Sequence, residues 1–160
     1  MTQQRLLRIL LVDDDDVFAM LLKESIAEHE KLREQFTIDR VNDGDIALEY
    51  ILSNARNGEA GTEAARPDLI LLDQRMPRMD GTEVLKKLKA KEETRAIPIC
   101  MLSTSNQPRH VAACYSSGAN FCMTKPSNLD QLIEQVGHLL FFFSNVVAIP
   151  DENYASAGVS

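Results

Sequence analysis

Asp68-Leu69-Ile70-Leu71-Leu72-Asp73-Gln74-Arg75-Met76-Pro77-Arg78-Met79-Asp80-Gly81 is the stretch that decides the fold. Four consecutive apolar residues between carboxylates read as a strand buried on both faces, the kind found at the centre of a parallel sheet. A turn punctuated by Pro77 and Gly81 ends it. Asp73 therefore stands at the carboxyl end of a central strand, where open α/β sheets place their chemistry. Three other apolar runs also end in reactive side chains. Ile9 to Val12 runs into Asp13-Asp14-Asp15-Asp16, Ile97 to Leu102 into Ser103-Thr104-Ser105, and Phe121 to Thr124 into Lys125-Pro126.

Between these runs the apolar residues recur with helical spacing. Phe18, Leu21, Leu22, Ser25 and Ile26 form one stripe, Ile46, Ala47, Tyr50 and Ile51 a second, and Val84, Leu85 and Leu88 a third. Pro108 opens a short helix that Gly118 ends, and Ser127 or Asn128 caps a last one through Leu132, Val136, Leu140 and Phe143. With Phe36 to Val41 as a further strand, the pattern predicts an α/β fold: a doubly wound, five-stranded parallel sheet with five helices. Residues 1–144 read as a single domain, and 145–160 as a C-terminal tail without an output domain. Asn57 to Arg66 resembles an insertion.

The chain has 160 residues, 44% hydrophobic and 26% charged, enough for one domain with its own core. A net charge of −7, with no compensating basic patch, argues against nucleic acid as a partner. Lys86, Lys87, Lys89 and Lys91 read as one solvated helix face. No apolar run approaches the roughly 20 residues a membrane span needs. Cys100, Cys114 and Cys122 lack CxxC spacing and read as small buried hydrophobes in a reducing cytoplasm.

Right-handed crossovers put all five strand ends on one edge. Asp13, Asp14, Asp73, Ser103 and Lys125 are thereby expected to converge. Clustered carboxylates repel, and a hard divalent cation relieves them; Mg²⁺ suits carboxylates, a carbonyl and waters. Lys125 can pair with Asp73 and then with a phosphoryl group, Ser103 can donate to a phosphoryl oxygen, and a carboxylate can itself attack phosphorus. Singly, each feature is also a common cap or turn signal.

Together, Leu10-Leu11-Val12-Asp13-Asp14, Asp68 to Asp73 with Met76-Pro77 and Met79-Asp80-Gly81, Leu102-Ser103-Thr104-Ser105 and Thr124-Lys125-Pro126 resemble the receiver domain of bacterial two-component response regulators. The resemblance covers about Leu7 to Phe143. It implies the flavodoxin-like strand order 2-1-3-4-5 and a function in a phosphorelay. Asp73 would accept a phosphoryl group from a sensor histidine kinase, without being a turnover enzyme. It further implies Asp13, Asp14, Asp73 and the backbone carbonyl of Arg75 as Mg²⁺ ligands. Ser103 and Thr104 are implied as switch and phosphate-contacting residues and Lys125 as the phosphate-pairing lysine. The family usually carries an aromatic residue three places before that lysine; here the position is Cys122, with Phe121 one place earlier. The insertion-like loop, the Ser-Thr-Ser turn and the aromatic tail are similar to small stand-alone regulators paired with phytochromes, which would make a phytochrome the kinase.

Signalling would then go by contact with a target protein, a relay partner or a second copy. Phe141 and Phe142 fall outside the helical stripe of Val136, Leu140 and Phe143. Either the tail residues Val146 to Ile149 cover them, or they form an exposed patch for a homodimer or partner. Two rival functions remain. Asp13 to Val17 also fits the Asp-x-Asp-x-Val pattern of haloacid-dehalogenase-like phosphatases, with Asp13 as nucleophile and Asp15 as acid/base. A receiver-like scaffold that is never phosphorylated is the other.

Overall fold

The computed structural model describes residues 5–56 and 66–150. Five parallel strands, β1 (Leu7–Val12), β2 (Phe36–Val41), β3 (Leu69–Asp73), β4 (Ile99–Ser103) and β5 (Phe121–Thr124), form one sheet in the order β2-β1-β3-β4-β5. The described residues carry six helices: α1 (Asp16–Ala27), α2 (Glu30–Arg33), α3 (Gly44–Arg56), α4 (Gly81–Ala90), α5 (Pro108–Ser116) and α6 (Leu129–Asn145). The sheet order is the expected one. The five predicted helices are present, and α2 is an addition: a single turn has too few residues to show a helical period.

The sheet's alternation divides the core in two. Ile9, Leu11, Leu69, Leu71, Cys100 and Leu102 point to one face, where α1 and α6 cover them. Leu10, Val12, Ile70, Leu72, Ile99 and Met101 point to the other, under α3, α4 and α5. β3 is buried along its whole length because it feeds both cores.

Helix starts follow local chemistry. The Asp15 carboxylate accepts the backbone N–H groups of Val17 and Phe18, both at 3.0 Å, and so caps α1. Asp80 caps α4 through Thr82 N–H at 2.8 Å, and Asn128 caps α6 through Gln131 N–H at 2.9 Å. Gly118, at φ 107°, supplies the left-handed residue that ends α5.

One expectation changes. Lys89 is not part of a freely solvated face: its ammonium donates to the carbonyls of Arg95 and Ile97 and to Asn120 Oδ1, each at 3.0 Å, tying α4 to the start of β4 and β5. Burial lowers its pKa. The insertion-like segment lies outside the described residues except for Arg66. The cysteines are free, and burial pushes the thiols of Cys100 and Cys114 up to about 12 and about 11. No helix among the described residues is long and apolar enough to cross a membrane.

Candidate functional site

The carboxyl ends of β1 and β3 flank the point where the strand order reverses, the usual ligand crevice of an open α/β sheet. Each site residue is held there by a backbone ladder that runs on past its strand. Asp13 N–H donates to Val41 O at 3.1 Å, Gln74 N–H to Leu102 O at 2.9 Å, and Lys125 N–H to Ser103 O at 2.7 Å. The turn after Asp73 folds back until Gly81 N–H reaches Gln74 O at 3.0 Å. A Cβ on Gly81 would run into the Asp73 carbonyl oxygen, so only glycine lets α4 start this close to the strand end.

Asp13, Asp14 and Asp73 each offer an oxygen within 4.8 Å of the others. Asp13 is fully buried and Asp73 is 6% exposed, whereas Asp14 faces solvent. The Lys125 ammonium is 2.8 Å from Asp13 Oδ2 and 3.3 Å from Asp73 Oδ1. A cleft of about 260 Å³ opens here, lined by Asp14, Asp15, Asp73, Gln74, Arg75, Thr104 and Lys125.

Electrostatics in the cleft are unbalanced. Burial, reinforced by the Asp13 carboxylate, raises the pKa of Asp73 to about 6, although Lys125 and the Arg75 backbone N–H pull it down. For Lys125 burial acts to lower the pKa, and the hydrogen bond and charge of Asp13, with Asp73 behind them, reverse that into a net rise. One ammonium pairs with two of the three clustered carboxylates, Asp13 and Asp73, and an all-oxygen donor set of this charge is suited to a hard divalent cation.

The structure brings Asp13, Asp14, Asp73, Arg75, Thr104 and Lys125 together at one cleft. Ser103 sits at the end of β4, but its hydroxyl is turned into its own loop. It donates to Ser105 O and accepts from Ser105 N–H, both at 3.1 Å. Thr104, not Ser103, lines the cleft. Cys122 is half-buried on β5 within the α3/α4/α5 core, and Phe121 joins the opposite core. Asp15, the acid/base of the rival phosphatase reading, caps α1 through Oδ1 and also borders the cleft.

Phe141 and Phe142 lie near the other end of α6, away from the cleft. Val147 and Ile149 do pack onto the α1/α6 core, yet Phe141 remains 57% and Phe142 38% exposed. Phe142 stacks edge-on with Phe121 and Phe143, centroids 6.0 Å apart. Phe141 borders a groove of about 640 Å³ beside α2.

Two contributors escaped the sequence reading. Arg40 on β2 donates to the Asp13 carbonyl through Nε (3.1 Å) and Nη2 (3.0 Å), and pairs with Asp16 at 2.7 Å. It clamps the acidic turn from the neighbouring strand. Phe18 presents its ring to the Lys125 ammonium, 4.3 Å from the centroid. Only the strand register Leu11↔Arg40 could have pointed to the first, and Phe18 is indistinguishable by period from an ordinary core residue.

Residues 9–137 match the response regulator receiver domain. The response regulator Rcp1 of Synechocystis is 33% identical over 146 residues, 89% of this chain and 92% of that protein. The structure of the phosphorylated cyanobacterial phytochrome response regulator RcpA superposes with a TM-score of 0.77 at 32% identity, covering 91% of this chain and 99% of that one. A response regulator in red light signaling of R. palustris gives 0.80 at 32% identity, with the same coverage. Rcp1 itself has been solved in a Mn²⁺-bound form, which superposes with a TM-score of 0.74 at 29% identity, covering 90% of this chain and 99% of that one. Fold, cleft and similarity agree: the chain belongs to the response regulator receiver domain family, the signalling proteins of two-component systems.

Proposed function

We propose that Asp73 is the phosphoacceptor, taking its phosphoryl group from a phosphohistidine on a sensor histidine kinase. The observation that carries this is the shared ammonium of Lys125 between Asp13 and Asp73 in a cleft that also holds Asp14. An Asp73 oxygen attacks phosphorus, the P–N bond breaks, and the imidazole nitrogen keeps the electron pair. Lys125 pairs with a phosphoryl oxygen, and Thr104 and Ser103 supply hydroxyls on the β4 side. Ser103 must first leave its bonds to Ser105, which makes its rotation a switch.

Asp13, Asp14, Asp73 and the Arg75 carbonyl would hold Mg²⁺; the raised pKa of Asp73 and the three converging carboxylates fit such an ion. Bound there, the ion supplies positive charge to the transferring phosphoryl oxygens. Water ends the state by hydrolysing the acyl phosphate, so the chain is a phosphoprotein that resets rather than a turnover enzyme. Residues 1–144 are read as the receiver unit.

The similarity to RcpA and to the R. palustris regulator over nearly their whole length favours a phytochrome-class kinase as donor. The free thiols suit a cytoplasmic protein. Output is proposed to go by contact, with the exposed Phe141 and Phe142 forming a homodimer or docking a downstream target or relay partner.

Mg²⁺ with a small phosphodonor, followed by intact mass, tests the assignment. One added phosphoryl group that disappears in Asp73→Asn is the expected result. Continuous turnover of donor that depends on Asp13 would mean a phosphatase, and no uptake at all would mean a scaffold.

A further inference from the structure

We propose that Phe18 is a positioning residue for Lys125, acting through its ring face; this rests on the proposed role of Lys125 beside Asp73. The ammonium has three sides to satisfy. Asp13 takes one at 2.8 Å, Asp73 another at 3.3 Å, and the Phe18 ring closes the third at 4.3 Å. A cation over an aromatic face is attracted by the ring quadrupole, more strongly where water is scarce. Lys125 is only 12% exposed and Phe18 8%.

The two carboxylate partners do not keep their roles. Asp13 is also a candidate ligand for a cation, and Asp73 becomes an acyl phosphate when it accepts a phosphoryl group. Each change alters the charge that Lys125 feels. The ring is the one contact of the three whose charge is the same at every stage. Its place is also fixed: Phe18 N–H donates to Asp15 Oδ1 at 3.0 Å, Asp15 N–H donates to Asp13 Oδ1 at 2.9 Å, and the ring packs in the α1/α6 core. Phe18 thus shares a turn with Asp13 and bounds the arc through which the ammonium can swing towards a phosphoryl oxygen on Asp73.

The phosphorylation rate with Mg²⁺ and phosphoramidate, read by intact mass, is compared across wild type, Phe18→Tyr, Phe18→Leu, Lys125→Ala and the Phe18→Leu/Lys125→Ala pair. Phe18→Leu is expected to slow uptake about 3- to 30-fold. Phe18→Tyr keeps a ring face and is expected to stay near wild type. In the Lys125→Ala background the Leu change is expected to alter the rate by less than about twofold, because its partner is already gone. A second readout needs no phosphoryl group: in the metal-free protein the Lys125 ε-methylene protons are shifted upfield by the ring in wild type and Phe18→Tyr, and return to ordinary values in Phe18→Leu. A wild-type rate in Phe18→Leu, the same fractional loss with and without Lys125, or an unshifted wild-type ε-methylene would each overturn the role. A wild type that takes up no phosphoryl group would instead overturn the assignment of Asp73, and this role with it.

Discussion

Replacing Asp73 by Asn in the metal-free protein should stabilise the fold at neutral pH and leave it unchanged near pH 4. An unperturbed aspartate titrates near ~3.9 in the unfolded chain. In the folded chain burial, with the Asp13 carboxylate adding to it, holds Asp73 at about 6. Between those values the folded state keeps a proton that the unfolded state has lost. Unfolding then releases a proton, and stability falls as pH rises. The penalty is absent below about pH 4 and complete above about pH 6. A shift of about two units corresponds to an upper bound of about 3 kcal/mol. Water in the open cleft screens part of it, leaving about 1–2 kcal/mol. Urea unfolding followed by circular dichroism, in chelator, from about pH 4 to about pH 7.5 measures the difference between the two proteins. The slope of that difference is decisive, because an altered hydrogen bond in the Asn variant would add only a constant. Parallel stability curves across the range would refute the reasoning.

Lys125→Ala strips a buried ammonium from two carboxylates and should cost about 2–4 kcal/mol without divalent ions, while tightening Mg²⁺ binding severalfold; unfolding curves and titration calorimetry check both, and weaker binding would show that Lys125 does not compete with the metal. Gly81→Ala drives a methyl group against the Asp73 carbonyl and should lose about 2–4 kcal/mol along with phosphoryl uptake, seen as a lower urea midpoint and a slower mass shift. Phe141→Ala with Phe142→Ala should leave phosphorylation intact and weaken self-association; a wild type that sediments as a monomer with and without phosphodonor would end the dimer idea.

The fold was legible wherever burial imposes a period. β3 declares itself because a strand covered on both faces has no polar positions to interrupt it, and its carboxylate end marks the edge where the cleft opens. Asp13, Asp73 and Lys125 could be placed together because parallel topology forces strand ends to one side. What stayed hidden depends on direction rather than on burial. The spacing of Phe18 shows that its ring goes inward, and nothing in that spacing says it stops under an ammonium 107 residues away (125 − 18). Arg40 looks like a solvated edge residue until the β1–β2 register sets it opposite Leu11, one strand across from the acidic turn. Ser103 was placed correctly at its strand end, but a hydroxyl rotor chooses between neighbours on a hydrogen bond or two, below what residue identity encodes. Lys89 reads as solvated in the sequence because its acceptors arrive from other elements, Asn120 among them.

The helices on the two faces of the sheet are not equally anchored. On one, α1 and α6 bury four or five residues each, and the His29 ring lies against Gly137 while bonding Ile133 O at 2.7 Å, so the α2 turn is latched to α6. On the other, α5 buries Cys114 alone among its nine residues. A helix with so little apolar anchorage opens at a small free-energy cost. Of the helices longer than one turn that follow a strand carrying a site residue, α5 is thus the one with the least apolar hold on the sheet, and it begins five residues beyond the end of β4, where Ser103 and Thr104 stand.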